Sequence, residues 1–443
     1  MDSTVEKLAE GVDELKGEVE GTIVEFTDSL KEKLLSPQVR EAIDTIEYLI
    51  GNMKPNFCKK DITHPIPVTD NVRKFDMGAA EYASSSILLL ALMRVVEEEV
   101  ELPAWECDLP ESTMLPVEQA LSINRISQFA LGTYSASWSS GEEEIGRAMG
   151  VEPEDVVFAW CSDEGGDLCP KFIIILDHES EAVVLAIRGT FCLKDVILDM
   201  VCDDAPFLDG FTHRGIREGA EQVWEKSSPA LLAALALHPT YSLVLTGHSL
   251  GAGVAVLLAL ELLVGEGAAA LPPSTEVCCL ALAPPPVYRA KSSWLWDTSL
   301  PPIVRERVDI IVHRHDCVPR MCLGSLARLV ASLRAIDQLD ISTSEAVSAL
   351  VLGNQQGKEV RTKVAAALEK VEQDTFPYLQ HPGTILYLEP EGEEGCLAAH
   401  QPSERFTKQL LVVDKMVADH RKDSYQDAIQ RLTRSMLHAD NTQ

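Results

Sequence analysis

The sequence predicts an α/β fold, a mostly parallel central sheet flanked by helices. Two observations carry that prediction. From about Val117 onward, short β-branched apolar runs alternate with runs of helical period, and strands that alternate with helices build a largely parallel sheet covered on both faces. The chain also has 443 residues, of which 46% are hydrophobic, which is ample material for a sizeable core.

The elements follow in order. Apolar residues recur at Val5, Leu8, Val12, Leu15, Val19, Ile23, Phe26, Leu30 and Leu34, in steps of three and four that mark an amphipathic helix about 30 residues long. Pro37 ends it. Residues 4–35 would therefore present an apolar stripe, either to the rest of this chain, which is the favoured reading, or to a partner helix. The first 36 residues carry ten acids against four lysines, which makes a membrane-surface helix the weakest alternative. The stretch from Ile50 to Leu115 holds scattered turn signals and one helix-like run, Ala80 to Glu99, with no evident chemistry. Residues 1–115 are thus read as a helical extension and 116–443 as the α/β domain.

Within that domain "KFIIILD" and "EAVVLAIRG" read as strands joined by the turn "HESE". "SLVLTG", "VCCLALAPP", "VDIIVHRHD", "TILYLE" and "QLLVVD" continue the series, with helical segments among them. The polar stretch "EPEGEEGCLAAHQPSE" reads as a surface excursion, and Tyr425 to Leu437 as a late helix.

Composition narrows the function. Thirty-eight Lys and Arg against 69 Asp and Glu leave a net charge of −31, which argues against electrostatic capture by nucleic acid or by an anionic membrane. Eleven cysteines without CxxC spacing suit neither a zinc ribbon nor a disulfide framework, and reduced, mostly buried thiols fit better. The apolar runs Ser84 to Met93 and Val254 to Val264 are shorter than the ~18–20 residues a membrane span requires. The acidic N-terminus, "MDSTVEKLAEG", has neither a signal-peptide core nor a glycine for myristoylation. The expectation is a cytoplasmic protein, with peripheral contact to membranes or lipid droplets as the variant.

The chemistry centres on "TGHSLGAG". Ser249 stands between Gly247 and Gly251, after the predicted strand Ser242 to Thr246 and before a helix expected from about Ala252. Strand, sharp turn and helix are what a nucleophile elbow requires. Glycines on either side let strand and helix close on each other, and the free N–H groups at the helix start make Leu250 a donor for an oxyanion. A serine hydroxyl needs a histidine to take its proton and an acid to orient that histidine. The alternative to a nucleophile here is a glycine-rich turn with an incidental serine.

Further along lie "VVLAIRGTFCLKDVILDM", "IVHRHDCVPRMCLGSLARL" and "VVDKMVADHRKDSYQDAIQRL". Together with the elbow, these segments resemble the class 3, or fungal-type, lipases. The resemblance implies an α/β-hydrolase-like fold, Ser249 as nucleophile, Asp316 as acid, His420 as base, and Thr190, after the Arg188-Gly189 pair, as the second oxyanion donor. The order Ser, Asp, His agrees with that fold. "THRGI", "DCVPRMCLGSL" and "HPGTILYL" are similar to the sn-1-specific diacylglycerol lipase branch, and the likeness extends over about 300 residues, from Gln119 to Leu432. That branch usually carries an N-terminal membrane-spanning region, and its Tyr-Pro-Pro-Gly reads "LQHPG" here.

Each of these positions has rivals in the sequence. Asp309 falls inside a predicted strand; His381 precedes a strand, and His400 lies in the polar excursion. His248 is expected to pack under the elbow, while His213 and Arg188 would supply supporting hydrogen bonds. His313 and His315 form an HxH pair without an apparent third ligand, so no metal and no cofactor is expected. Asp195 and Asp199 resemble residues at a lid base, and Met200 to Gly215 reads as the lid itself.

The expected function is a serine lipase acting on a glycerolipid ester at a lipid interface, through an acyl-enzyme. A phospholipase A1 or general carboxylesterase is the related alternative. An inactive lipase-like interaction protein is the alternative from another class.

Overall fold

A computed structural model describes residues 90–96, 115–136, 141–161, 169–189, 204–291, 300–339, 341–342, 345–346, 348–352, 354–371, 378–392, 395–407, 410–413 and 415–440. The amphipathic run at 4–35, Thr190, Asp195, Asp199 and residues 200–203 lie outside them. Of the N-terminal extension, residues 90–96 are described, and they are helical and largely buried.

The chain divides into two compact units. The larger comprises Leu109–Leu326, Pro377–Leu410 and Ala418–Gln443, and the smaller comprises Met1–Asp108, Ala327–Phe376 and Leu411–Val417. Eleven strands are described: β1 (Val156–Trp160), β2 (Phe172–Asp177), β3 (Ala182–Ile187), β4 (Asp204–Phe207), β5 (Gly210–His213), β6 (Ser242–His248), β7 (Val277–Leu282), β8 (Tyr288–Ala290), β9 (Val308–His313), β10 (Thr384–Glu391) and β11 (Gly395–Gln401). The main helices are α1 (Val117–Gly132), α2 (Glu142–Met149), α3 (Arg214–Leu237), α4 (Leu250–Val264), α5 (Pro302–Arg307), α6 (Leu323–Asp337), α7 (Gln355–Leu368), α8 (Glu404–Thr407) and α9 (Lys422–Asp440).

The main sheet runs β1-β2-β3-β6-β7-β9-β10-β11. Strands β3, β6, β7, β9 and β10 are parallel to their neighbours in that series, whereas β1–β2, β2–β3 and β10–β11 pair antiparallel. The mostly parallel α/β sheet expected from the sequence is therefore present. β3 and β6 sit inside it, and "AVVLAI" of β3 and "LVLTGH" of β6 are buried throughout, as befits strands covered on both faces.

One face packs on α1 and α9. The buried residues Ala120, Ile123, Phe129 and Ala130 of α1 and Tyr425, Ala428, Ile429, Leu432 and Met436 of α9 recur at helical spacing. They meet Val184, Ala186, Val244, Leu280, Leu282, Ile311, Leu386 and Leu388 of the sheet. On the opposite face α3 and α4 contact each other and the sheet. α4 is apolar nearly all round, and every residue from Gly251 to Leu260 is buried, as its central position demands.

In the smaller unit, α7 opens with an Asn354 side chain that accepts from the Gly357 N–H at 2.8 Å, a helix N-cap.

Three elements differ from the sequence reading. The described residues of "QLLVVD", 410–413, are irregular and not in a strand. The stretch read as a surface excursion instead contains β11, which pairs in register with β10 from Ile385↔Gln401 to Glu391↔Gly395. Cys396, Ala398, Ala399 and Gln401 are buried in it, a short run that the flanking glutamates hide in the sequence. The described part of the expected lid, 204–215, is the hairpin β4–β5 followed by the start of α3. β5 also pairs with β8, and the Thr212 hydroxyl donates to the Val287 carbonyl at 2.6 Å. β5 thus has ladder partners on either side, β4 and β8, and β4 is an edge strand of this small sheet.

Candidate active site

The elbow begins where β6 ends. Ser249 has φ 60° and ψ −129°, a left-handed conformation that a non-glycine residue holds at a cost of about 1–3 kcal/mol. The surrounding backbone imposes it: the Ser249 N–H donates to the Leu282 carbonyl at 2.9 Å, and the Ser249 carbonyl accepts from Ala252 and Gly253 at 3.0 and 3.1 Å. The turn is too tight for side chains beside it. A Cβ on Gly247 would lie 2.6 Å from the Gly251 carbonyl carbon and 2.7 Å from the Ile187 oxygen, and one on Gly251 would lie 2.7 Å from the Arg188 carbonyl carbon. The helix starts at Leu250, two residues before the expected point. The Leu250 N–H occupies the first helical position, where no acceptor exists within the helix.

Asp316 reaches the same sheet edge by a second turn. β9 ends at His313, Arg314 takes φ 45°, and its N–H donates to the Leu388 carbonyl at 3.0 Å. The HxH pair therefore does not share one strand face, because the chain turns between its members. The Asp316 carboxylate is completely buried. Its Oδ1 accepts from the Val318 N–H at 2.9 Å, and its Oδ2 accepts from the Tyr425 hydroxyl at 2.7 Å.

His420 comes from the turn before α9. Its Nδ1 lies 3.0 Å from both carboxylate oxygens of Asp316, and its Nε2 lies 2.9 Å from the Ser249 hydroxyl. With Nδ1 donating its proton to Asp316, the lone pair of Nε2 faces the serine hydroxyl. Ser249, His420 and Asp316, scattered over 171 residues of sequence, thus form one continuous hydrogen-bonded chain in a largely buried site.

The rivals are placed elsewhere. Asp309 lies near the start of β9, and burial raises its carboxyl pKa. His400 is exposed on β11. His381 is buried, donates from Nε2 to the Pro319 carbonyl at 2.8 Å, and is pushed down to about 4 by that burial. His213 accepts from the Ile216 N–H at 3.3 Å and so caps α3. Arg188 lies 5.9 Å above the Tyr134 ring.

Tyr425, Asp419 and Tyr134 belong to the site and escaped the sequence reading. Asp419 is buried, and its carboxylate accepts from the His315 N–H at 3.2 Å. Tyr134 sits beneath the elbow beside His248. Each acts through residues more than 100 positions away, and neither composition nor spacing points to such pairs.

A parallel α/β sheet with a strained serine at a strand-to-helix elbow and a histidine–aspartate pair against it defines the α/β-hydrolase class. Residues 184–325 match the family described as lipase (class 3), as the ordered motifs anticipate. The chain is similar to mouse diacylglycerol lipase-beta, 29% identical over 336 residues, which is 65% of this chain and 47% of the mouse protein. It is 27% identical to human diacylglycerol lipase-alpha over 185 residues, 39% of this chain and 16% of that protein. The chain thus spans less than half the length of these relatives. Among solved structures, the lipase of Rhizopus microsporus var. chinensis aligns with 70% of this chain and 90% of its own at 16% identity and a TM-score of 0.45. Among the described residues, no helix is long and apolar enough to cross a membrane.

Proposed function

We propose that this chain is a serine lipase that hydrolyses an ester bond of a glycerolipid, with a diacylglycerol as the substrate class its relatives suggest. The observation that carries this reading is the unbroken chain from Ser249 Oγ through His420 to Asp316 at a strained elbow. In the first half-reaction His420 Nε2 takes the hydroxyl proton as Ser249 Oγ bonds to the ester carbonyl carbon. The developing oxyanion is met by the Leu250 N–H, with Thr190 proposed as the second donor from the family resemblance. Imidazolium passes its proton to the departing alkoxide, leaving an acyl-serine and the alcohol. Water then repeats the sequence, releasing the fatty acid and restoring Ser249. Asp316, fixed by Tyr425 and the Val318 N–H, holds the imidazole tautomer and stabilises the imidazolium. The proposed workplace is a neutral lipid surface approached from the cytoplasm. Residues 1–115 are proposed as a helical extension that packs on the chain or recruits a partner through 4–35.

The test is labelling with a fluorophosphonate probe together with hydrolysis of mono-, di- and triacylglycerols, galactolipids and phospholipids. Ser249→Ala should abolish labelling and lower kcat by on the order of 10⁴-fold. His420→Ala should abolish labelling at neutral pH, while His400→Ala leaves it nearly intact. Esterase activity above a few per cent of wild type in Ser249→Ala refutes the assignment. Exclusive turnover of phospholipids would favour the phospholipase A1 reading, and an unreactive wild-type chain would favour the inactive scaffold.

A further inference from the structure

Two buried histidines outside the Ser249–His420–Asp316 chain hold the backbone that carries His420. His248 Nε2 lies 3.0 Å from the carbonyl oxygen of His420, and His313 Nδ1 lies 3.1 Å from the carbonyl oxygen of Asp419. A carbonyl can only accept, so each of these ring nitrogens carries its proton and donates it. The tautomer of His248 is set from the other side, where the Tyr134 hydroxyl lies 3.0 Å from Nδ1 and donates to it. Both rings are only 4% exposed, and burial lowers the pKa of both, so the donors are neutral imidazoles.

The placement follows from the sheet. His248 is the last residue of β6 and directly precedes Ser249, and His313 is the last residue of β9, three residues before Asp316. Each strand that delivers one member of the chain also ends in a histidine that grips the segment delivering the third. Successive carbonyls, of residues 419 and 420, are the ones gripped. The His248 ring also lies against the His420 ring, with centroids 4.9 Å apart and planes 30° from parallel. A neutral ring there does not oppose the positive charge that His420 acquires when it takes the serine proton.

We propose that His248 and His313 are positioning residues: a two-point clamp on the 419–420 backbone that sets the distance from His420 Nε2 to Ser249 Oγ. The proposal rests on the reading of Ser249, His420 and Asp316 as the reacting unit. The placement that the clamp fixes matters because a shift of about 1 Å in a reacting group costs up to about 100-fold in rate.

The test separates the donated proton from the ring. In His248→Gln, a side-chain N–H replaces Nε2–H and the amide oxygen still accepts from Tyr134. In His313→Asn, a side-chain N–H replaces Nδ1–H. His248→Met and His313→Leu keep bulk and remove the donor. On the full chain, with a short soluble ester and with the fluorophosphonate probe, the Met and Leu variants should lose about 10- to 100-fold in kcat and in labelling rate with KM within about threefold. Gln and Asn should recover most of that loss. Gln and Asn variants as impaired as Met and Leu at matched Tm, or Met and Leu variants that react at the wild-type rate, would overturn the clamp. Should the apolar variants not fold, Tyr134→Phe tests the same device by removing the donor that sets the His248 tautomer, together with that hydroxyl's bond to the Gly189 backbone. A fall of about three- to tenfold in kcat at constant KM supports it, and an unchanged kcat overturns it. A wild-type chain that does not react with the probe is a distinct failure: it removes the hydrolase reading, and the clamp with it.

Discussion

Tyr425 makes two hydrogen bonds at once: its oxygen accepts from the buried His313 N–H at 3.0 Å and its proton goes to Asp316 Oδ2 at 2.7 Å. Tyr425→Phe leaves that N–H without its acceptor and removes a donor from a fully buried carboxylate, which should cost about 1–3 kcal/mol in urea unfolding. It should also lower kcat by about tenfold, because the orientation of Asp316 loosens. A variant with wild-type stability and turnover would show the bridge to be idle. Asp419 supplies the pH dependence at this scale. Burial raises its carboxyl to about 7; the His315 N–H and Arg314 oppose that rise, and Asp316 and Glu389 add to it. The ordinary value for the unfolded chain is 3.8. Between about pH 4 and pH 7 the folded state therefore holds a proton that the unfolded state has lost, so stability falls as pH rises through that window. Asp419→Asn keeps an acceptor for His315 and cannot ionise. Its stability relative to wild type should rise between pH 5 and pH 8, by on the order of 1–4 kcal/mol at pH 8. Parallel pH profiles in thermal unfolding would refute this.

Among the elements, the β6–α4 elbow has no room for a side chain at Gly247. The three atoms nearest a Cβ on Gly247 are all backbone, from Gly251 and Ile187, so no side-chain rotation can relieve the contact. Gly247→Ala must push α4 away from the β3–β6 pair, which should cost about 1–3 kcal/mol and lower Tm. The same displacement carries Ser249 off His420, so labelling should slow by at least about tenfold. Full labelling at a lowered Tm would separate the packing role of this glycine from its effect on Ser249. The hairpin β4–β5 limits motion elsewhere, because its pairing to β8 and the Tyr288 hydroxyl bond to Asp209 tie it down.

For the whole molecule, the net charge of −31 decides which surfaces it can approach. Repulsion from an anionic bilayer acts within a Debye length, about 10 Å at 0.1 M salt. Hydrolysis of a diacylglycerol carried in phosphatidylcholine vesicles should therefore exceed that in phosphatidylserine-rich vesicles at low salt, and the gap should narrow as salt is added. Equal initial rates on both vesicles at about 10 mM salt would show that the acidic surface faces away from the lipid.

What the sequence determined by itself is local. The Gly247–Ser249–Gly251 turn is legible because strand, turn and helix are contiguous, and so are the apolar runs of β2, β3, β6, β7, β9 and β10 and the helical stripe of α9. Asp316 and His420 are legible only through ordered motifs that resemble a family, and "QLLVVD", which reads as the strand before His420, is irregular over residues 410–413. β11 is not legible because glutamate-rich flanks surround its short buried run. Only the tertiary structure decided which histidine faces Ser249 and which serve the backbone. His248, His313, His381 and His420 are all largely buried and chemically alike. They differ in what stands opposite their ring nitrogens: a backbone carbonyl oxygen for each of the first three, joined at His248 by the Tyr134 hydroxyl, and a carboxylate and the Ser249 hydroxyl for His420. Those partners are brought together by the crossing of β6, β9 and the turn before α9. Side-chain contacts over such separations depend on the packing of the whole sheet, a property that no window of sequence contains.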